Sequence, residues 1–121
     1  MKLLAYEVDK RSFLGIFNED ETWVYPISAA GMEYRSMKDL IREAGPSEME
    51  MLDYISKKAP GDVTGAAPVE EIKIVSPIPE PDQDIICLGI NYMDHAAESA
   101  RFQKEEFARP EKAIYFSKRV N

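Results

Sequence analysis

The sequence has few of the side chains that catalysis and cross-linking most often use. Among 121 residues there is one cysteine, Cys87, and one histidine, His95. A single cysteine excludes an intrachain disulfide, and such low cysteine usage fits the cytoplasm. Cys87 lies in an apolar run, so we expect a buried, small hydrophobic side chain there rather than a nucleophile.

Positive charge is also scarce. Lys and Arg number 15 against 22 Asp and Glu, which gives a formal net charge of −7 at pH 7. This balance argues against binding to nucleic acid, because a nucleic-acid-binding protein needs a basic surface. The excess of acidic residues is explained by the solubility that net charge gives a protein. The sequence contains no apolar run of membrane-spanning length, and its first residues do not form a signal peptide. We therefore expect a cytoplasmic protein without a nucleic-acid or membrane partner.

The first part of the sequence alternates between apolar and polar residues, as β-strands do. This pattern predicts an antiparallel meander of three strands at residues 3–8, 13–17 and 22–27. Gly15 is a candidate β-bulge in the second strand. Trp23 and Tyr25 share one face of the third strand, which indicates packing rather than ligand stacking.

Two helices are predicted next. Ser36 caps the first, and the capping-box spacing of Ser47 and Glu50 starts the second. Gly45-Pro46 ends the first helix and Pro60-Gly61 closes the second. Their apolar faces are predicted to be Met37, Leu40, Ile41 and Ala44 in the first helix, and Met51, Leu52, Ile55 and Ala59 in the second.

A proline-rich stretch divides the chain. A short strand is predicted at residues 71–75, and the alternating prolines that follow exclude a helix or a central strand. We place an N-terminal domain at residues 1–75, a linker at residues 76–83 and a second segment at residues 84–121. The predicted fold class is α+β.

The second segment carries the residues most suited to chemistry. Residues 85–90 form an apolar run typical of a strand buried on both faces, and Gly89 lets the backbone approach a ligand. Asn91 fits the N-cap of a following helix, on which His95 and Glu98 share a face. A carboxylate beside an imidazole raises its basicity and orients it as a general base. The commonest explanation of such a pair is nevertheless a solvated surface contact.

The residues C-L-G-I-N-Y-M-D-H-A-A-E, followed by R-P-E-K-A-I-Y-F-S-K, resemble the start of the catalytic domain in the fumarylacetoacetate hydrolase family, and especially its heptadienedioate isomerases. Residues 1–75 are similar to the small accessory domain that precedes it in many bacterial members. The family pattern is matched in order and spacing at Cys87, Gly89, Asn91, Tyr92, His95, Glu98, Pro110, Phe116 and Lys118.

The resemblance implies a mixed β-roll, of which residues 84–121 would supply the first strands and a lid helix. It implies a small 2-oxo or 1,3-dicarbonyl acid as substrate, with C–C bond hydrolysis, keto–enol isomerisation or decarboxylation as the reaction. His95, oriented by Glu98, would activate water or move a proton. Gly89, Asn91 and Tyr92 would shape the pocket. Lys118 would neutralise a substrate carboxylate, or would instead be a structural ion-pair partner.

The resemblance also implies magnesium or manganese, held by a Glu-x-Glu pair and a later aspartate. In the family those carboxylates lie downstream of the F-x-K strand, so this chain offers no metal ligand and is expected to be inactive alone. Glu48 and Glu50 have Glu-x-Glu spacing, but helical residues two apart do not face each other.

Two alternatives remain open. Unpaired strand edges invite pairing with another copy, so the chain is also interpreted as a non-catalytic accessory or oligomerisation fragment that forms a homodimer. A nucleotide-binding domain built on C-L-G-I-N-Y is a weaker hypothesis, since a single glycine is no phosphate-binding fingerprint.

Overall fold

The computed structural model describes residues 1–89 and 114–119. The chain divides into two compact units, Met1–Pro79 and Glu80–Asn121. The division falls within residues 76–83, and the linker expected there stays a prediction. The helix predicted after Asn91 lies outside the described residues. In the described ranges, no helix is long and apolar enough to cross a membrane.

The first unit is an α+β fold built on one antiparallel sheet. Five strands form it in the order β4-β3-β2-β1-β5. Their bounds are Leu3–Val8 (β1), Arg11–Phe17 (β2), Trp23–Pro26 (β3), Ala67–Pro68 (β4) and Lys73–Val75 (β5). The predicted three-strand meander is confirmed by the pairing of β1 with β2 and of β2 with β3.

The second strand begins two residues earlier than predicted. Val8 pairs with Arg11, so the turn contains only Asp9 and Lys10. Both have positive φ, 50° and 64°. Two consecutive left-handed residues match the twist of a hairpin with a two-residue turn. The turn is therefore shorter than the four polar residues of this region suggest.

Gly15 is not a bulge. The β1–β2 register runs without interruption, with Leu4 opposite Gly15 and Ala5 opposite Leu14. The glycine is instead required by close packing: a Cβ at this position would lie 2.5 Å from the carbonyl oxygen of Tyr25 and 2.7 Å from Cε1 of Tyr6. The sheet thus places backbone and a ring where any side chain would clash.

Each face of the sheet carries its own core. Ile16 and Tyr25 are fully buried with Leu40 and Leu52 of the helices, and Trp23 packs against this cluster. The prediction that Trp23 and Tyr25 share one packed face is therefore confirmed. On the other face Leu4, Tyr6 and Val24 form a second cluster, in which the Tyr6 ring stacks on Phe13 with centroids 5.4 Å apart.

Helix α1 spans Met37–Glu43 and begins as predicted. The Ser36 hydroxyl oxygen accepts a hydrogen bond from the backbone N–H of Asp39 at 3.1 Å. Ile41 was expected on the inner face, but it is 59% exposed. The buried residues of this helix are Met37 and Leu40, so the face that packs on the core is narrower than the apolar stripe.

Helix α2 spans Pro46–Ser56 and does not begin with the predicted pair of Ser47 and Glu50. Proline is favoured at the first helical position, since its missing N–H would be unpaired there in any case. Gly45 is therefore the N-cap. Its backbone N–H donates a hydrogen bond of 2.7 Å to Oε2 of Glu48.

The inner face of α2 is narrower than predicted. Leu52 and Ile55 are buried, whereas Met51 is 47% exposed. Ala59 is exposed and lies beyond the helix, which ends before the 3-10 turn Pro60–Asp62. Ala59 therefore lies in the short segment between α2 and the 3-10 turn and is not part of the buried helix face.

The Glu48 cap predicts a pH-dependent contribution to stability. The hydrogen bond from the Gly45 N–H holds the pKa of the Glu48 carboxyl below its ordinary value near 4.5. A folded-state pKa that is depressed stabilises the fold above the unfolded pKa, and this contribution disappears as the pH falls through the folded value. We expect Glu48→Ala to lower the melting temperature more at pH 7 than at pH 2.

The matched control is Glu50→Ala, which removes an exposed carboxylate from the same helix. Thermal unfolding by circular dichroism across this pH range measures both. A Glu48→Ala deficit that stays constant from pH 7 to pH 2, or an equal pH-dependent deficit in Glu50→Ala, would contradict the capping role.

The described part of the second unit is a two-stranded antiparallel ribbon. Strand β6 spans Ile85–Gly89 and pairs with β7, Ile114–Lys118. Burial of β6 on both faces was predicted and is wrong: Ile85, Ile86 and Leu88 are 45%, 76% and 44% exposed. Burial on both faces requires a layer on each side of a sheet, and the described residues of this unit supply only two strands. For the same reason Cys87 is half-buried rather than buried.

Candidate active site

Only two of the predicted site residues lie among the described ones. Gly89 is the last residue of β6 and Lys118 is the last residue of β7. The predicted catalytic pair His95 and Glu98, and the predicted substrate-binding residues Asn91 and Tyr92, fall between residues 90 and 113, outside the described ranges. Their roles stay predictions.

The ribbon register does not place Gly89 and Lys118 side by side. Gly89 pairs with Ile114, and Lys118 pairs with Ile85 at the other end of the ribbon. Four residues of antiparallel strand separate the two levels, which corresponds to roughly 14 Å. A carboxylate held by Lys118 would therefore lie along the ribbon from Gly89 rather than beside it.

The register does place four residues of the family pattern on one face. Side chains alternate along a strand, and directly opposite residues share a face. Cys87 is opposite Phe116, with Gly89 and Lys118 two residues away on their own strands. We call this the motif face; it carries the pattern residues Cys87, Gly89, Phe116 and Lys118 together with Ile85 and Ile114. The opposite face carries Ile86, Leu88, Tyr115 and Ser117.

Sequence reasoning missed this common face, although the signal was present. C-x-G and F-x-K each hold their two pattern residues at a spacing of two, the period of a strand. What the sequence alone could not provide was the register between β6 and β7, which decides whether the two pairs meet on one face.

The first unit supplies clefts but no catalytic constellation among its described residues. Two of these clefts have volumes of about 360 and 400 Å³. The lining of the former mixes apolar side chains with Glu33 and Arg35. The latter is lined by residues 18–20 and by residues 56–60, at and after the end of α2. Across residues 1–89 and 114–119, no three His, Cys, Asp or Glu side chains are grouped so that they could hold a metal ion.

The perturbed ionisable groups of this unit have structural explanations. Hydrogen bonds from the Thr22 hydroxyl and backbone N–H lower the pKa of the Asp20 carboxyl in an exposed turn. Burial raises the pKa of Tyr6 to about 12, so its hydroxyl stays protonated within the second core. These features are typical of a scaffold.

Comparison with known proteins extends the likeness beyond residues 84–121. No family model matches the sequence. The chain is 40% identical over 128 aligned positions to the oxaloacetate tautomerase YisK of Bacillus subtilis (strain 168), an alignment that covers 98% of this chain and 41% of that protein. The chain thus spans less than half the length of this curated relative. The match includes the first unit, and it supports the fumarylacetoacetate hydrolase family without deciding a subgroup.

Proposed function

We propose that the chain is the N-terminal part of a fumarylacetoacetate hydrolase-like enzyme that acts on a small 2-oxo or 1,3-dicarbonyl acid. In this proposal the first unit is the accessory domain, and the β6–β7 ribbon begins the catalytic β-roll. The observation that carries it is the alignment of nearly the whole chain with an oxaloacetate tautomerase. The grouping of four pattern residues on one ribbon face supports it independently of overall identity.

Keto–enol isomerisation is the reaction that this relative favours over hydrolysis or decarboxylation. Isomerisation moves a proton between the carbon next to the oxo group and the oxo oxygen. His95, as the single imidazole of the chain, would accept that proton and return it, with Glu98 fixing its ring. Lys118 would neutralise a carboxylate of the substrate. The same enolate chemistry underlies the other two reactions, so the residues alone do not separate them.

A divalent cation is part of the proposal only through the family resemblance. Magnesium and manganese require several oxygen ligands, and no suitable group exists among the described residues. Glu48, whose carboxylate caps Gly45, is engaged in a helix start and is not a candidate ligand. We therefore assign no ligand in this chain and derive no step through the metal.

The non-catalytic alternative also has a supporting observation. Tyr115 and Phe116 of β7 are 67% and 53% exposed, like the apolar residues of β6. A two-stranded ribbon is marginally stable by itself. A chain that functions at this length would need another copy to cover the ribbon, and would form a homodimer.

The coding frame beyond the Asn121 codon separates the two proposals. The enzyme proposal predicts that the frame continues and soon encodes a strand-like segment with a Glu-x-Glu pair, followed by an aspartate. A genuine stop codon directly after Asn121 would contradict metal-dependent catalysis by this product and would favour the homodimer.

A further inference from the structure

One edge of the sheet in the first unit is formed by β5, a strand that pairs over three residues only. Lys73–Val75 lie opposite residues 5–7 of β1, and no strand among the described residues pairs with the other side of β5. Ile74 is 56% exposed, so its side chain contributes little to holding the strand. A short edge strand of this kind opens easily and attracts strands of other chains.

Ile78, shortly after β5, makes a contact outside the strand pairing. Its side chain packs against the core cluster that contains Tyr25 and Leu40. Ile78 is half-buried, whereas the flanking Pro77 and Pro79 are exposed. A single apolar side chain therefore holds this segment against the first unit, and the boundary between the two units follows directly after Pro79.

The two prolines prepare the segment for this contact. A proline ring fixes φ at about −65°, and a residue that precedes proline is driven to extended backbone. Ser76 and Ile78 both precede prolines, so the segment is already extended before Ile78 docks and loses little conformational entropy on docking. Pro77 and Pro79 also lack an N–H group, so another chain cannot extend regular pairing past the end of β5.

We propose that residues 76–79 form a strap, in which Ile78 docks on the first core, holds the edge strand β5 against β1 and fixes the point where the chain leaves the first unit. The strap also shortens the connection to β6. A chain that is free from residue 76 could span roughly 30 Å before Ile85, whereas residues 80–84 alone span at most roughly 17 Å. Half of the predicted linker is therefore a structural part of the first unit, and this role does not depend on the proposed function.

Hydrogen–deuterium exchange of the natural gene product, measured by mass spectrometry, tests the strap. In Ile78→Ser we expect peptides that cover residues 72–79 to exchange about tenfold faster, because β5 opens more often once the apolar contact is lost. Peptides from β2 and from the two helices should keep their rates. The matched control is Ile41→Ser, which truncates an isoleucine that is 59% exposed in α1. It should leave exchange at residues 72–79 unchanged.

Ile78→Val keeps most of the apolar contact and carries the same comparison if Ile78→Ser does not fold. Its exchange at residues 72–79 should be faster than in the wild type and slower than in Ile78→Ser. Unchanged exchange there in the folded Ile78 variants, or an equal acceleration in Ile41→Ser, would overturn the strap. An acceleration spread evenly over β2, β3 and both helices would also overturn it, because Ile78 would then contribute only to global stability.

Discussion

Gly15→Ala is expected to lower the free energy of unfolding of the first unit by about 3 kcal/mol, the upper range for overpacking a tight core. The added methyl group would lie 2.5 Å from the Tyr25 carbonyl oxygen and 2.7 Å from the Tyr6 ring. The first contact is with backbone, and the Tyr6 side chain is 1% exposed, so neither neighbour can move without disturbing a core. Relief would require β1, β2 and β3 to separate.

Urea unfolding followed by the fluorescence of Trp23, the single tryptophan of the chain, measures this effect. The control is Gly61→Ala, because a Cβ at Gly61 would meet nothing within 4 Å. We expect that control to change stability by less than about 0.5 kcal/mol, as exposed substitutions usually do. Equal effects of the two substitutions would show that the close approach at Gly15 is not a structural requirement.

His95→Ala is expected to lower kcat of the natural gene product on an oxo acid by about 10²–10⁴-fold, the usual contribution of a positioned general acid–base group. His95 is the single histidine within residues 1–121. Because the loss concerns proton transfer rather than binding, KM should change much less than kcat. Steady-state kinetics measure both constants, and circular dichroism confirms that the variant folds.

Glu98→Gln is the companion variant. If Glu98 orients the imidazole, the amide should retain part of the positioning and lower kcat less than His95→Ala does. If the two residues form an ordinary surface pair, both variants should keep full turnover, and the catalytic assignment of His95 would be wrong.

Local sequence signals predicted the elements whose ends are decided locally. The whole of β1 and the Ser36 cap of α1 were predicted correctly, since alternation and a side-chain cap involve only neighbouring residues. The start of α2 was not, because Ser47-x-x-Glu50 and Gly45-Pro46 compete for the same turn and proline prevails. Ile41 and Met51 have the correct helical spacing for burial, but only packing decides how wide a buried stripe becomes.

The candidate site shows the same division. The pattern residues of β6 and β7 could be identified by resemblance, and β6 begins where the strand was expected. The register could not be predicted, because residues 90–113 separate the strands in sequence and a turn fixes the register only across a short hairpin connection. This register places Cys87 opposite Phe116 and puts Lys118 and Gly89 at opposite ends of the ribbon. The exposure of the ribbon was not predicted. An apolar run indicates that a strand is usually buried, but it does not show which part of the protein, or which partner, covers the strand.

The most direct test of the central claim, that these residues belong to an oxo-acid enzyme, is the conversion of enol oxaloacetate to its keto form by the natural gene product with magnesium or manganese. Loss of the enol's ultraviolet absorbance follows the reaction, and protein-free buffer with the same metal gives the background rate. We predict that wild-type protein accelerates the conversion. The His95→Ala variant should have a rate constant about 10²–10⁴-fold lower, which is the usual contribution of general acid–base catalysis. A folded wild-type protein that leaves the background rate unchanged would contradict the account.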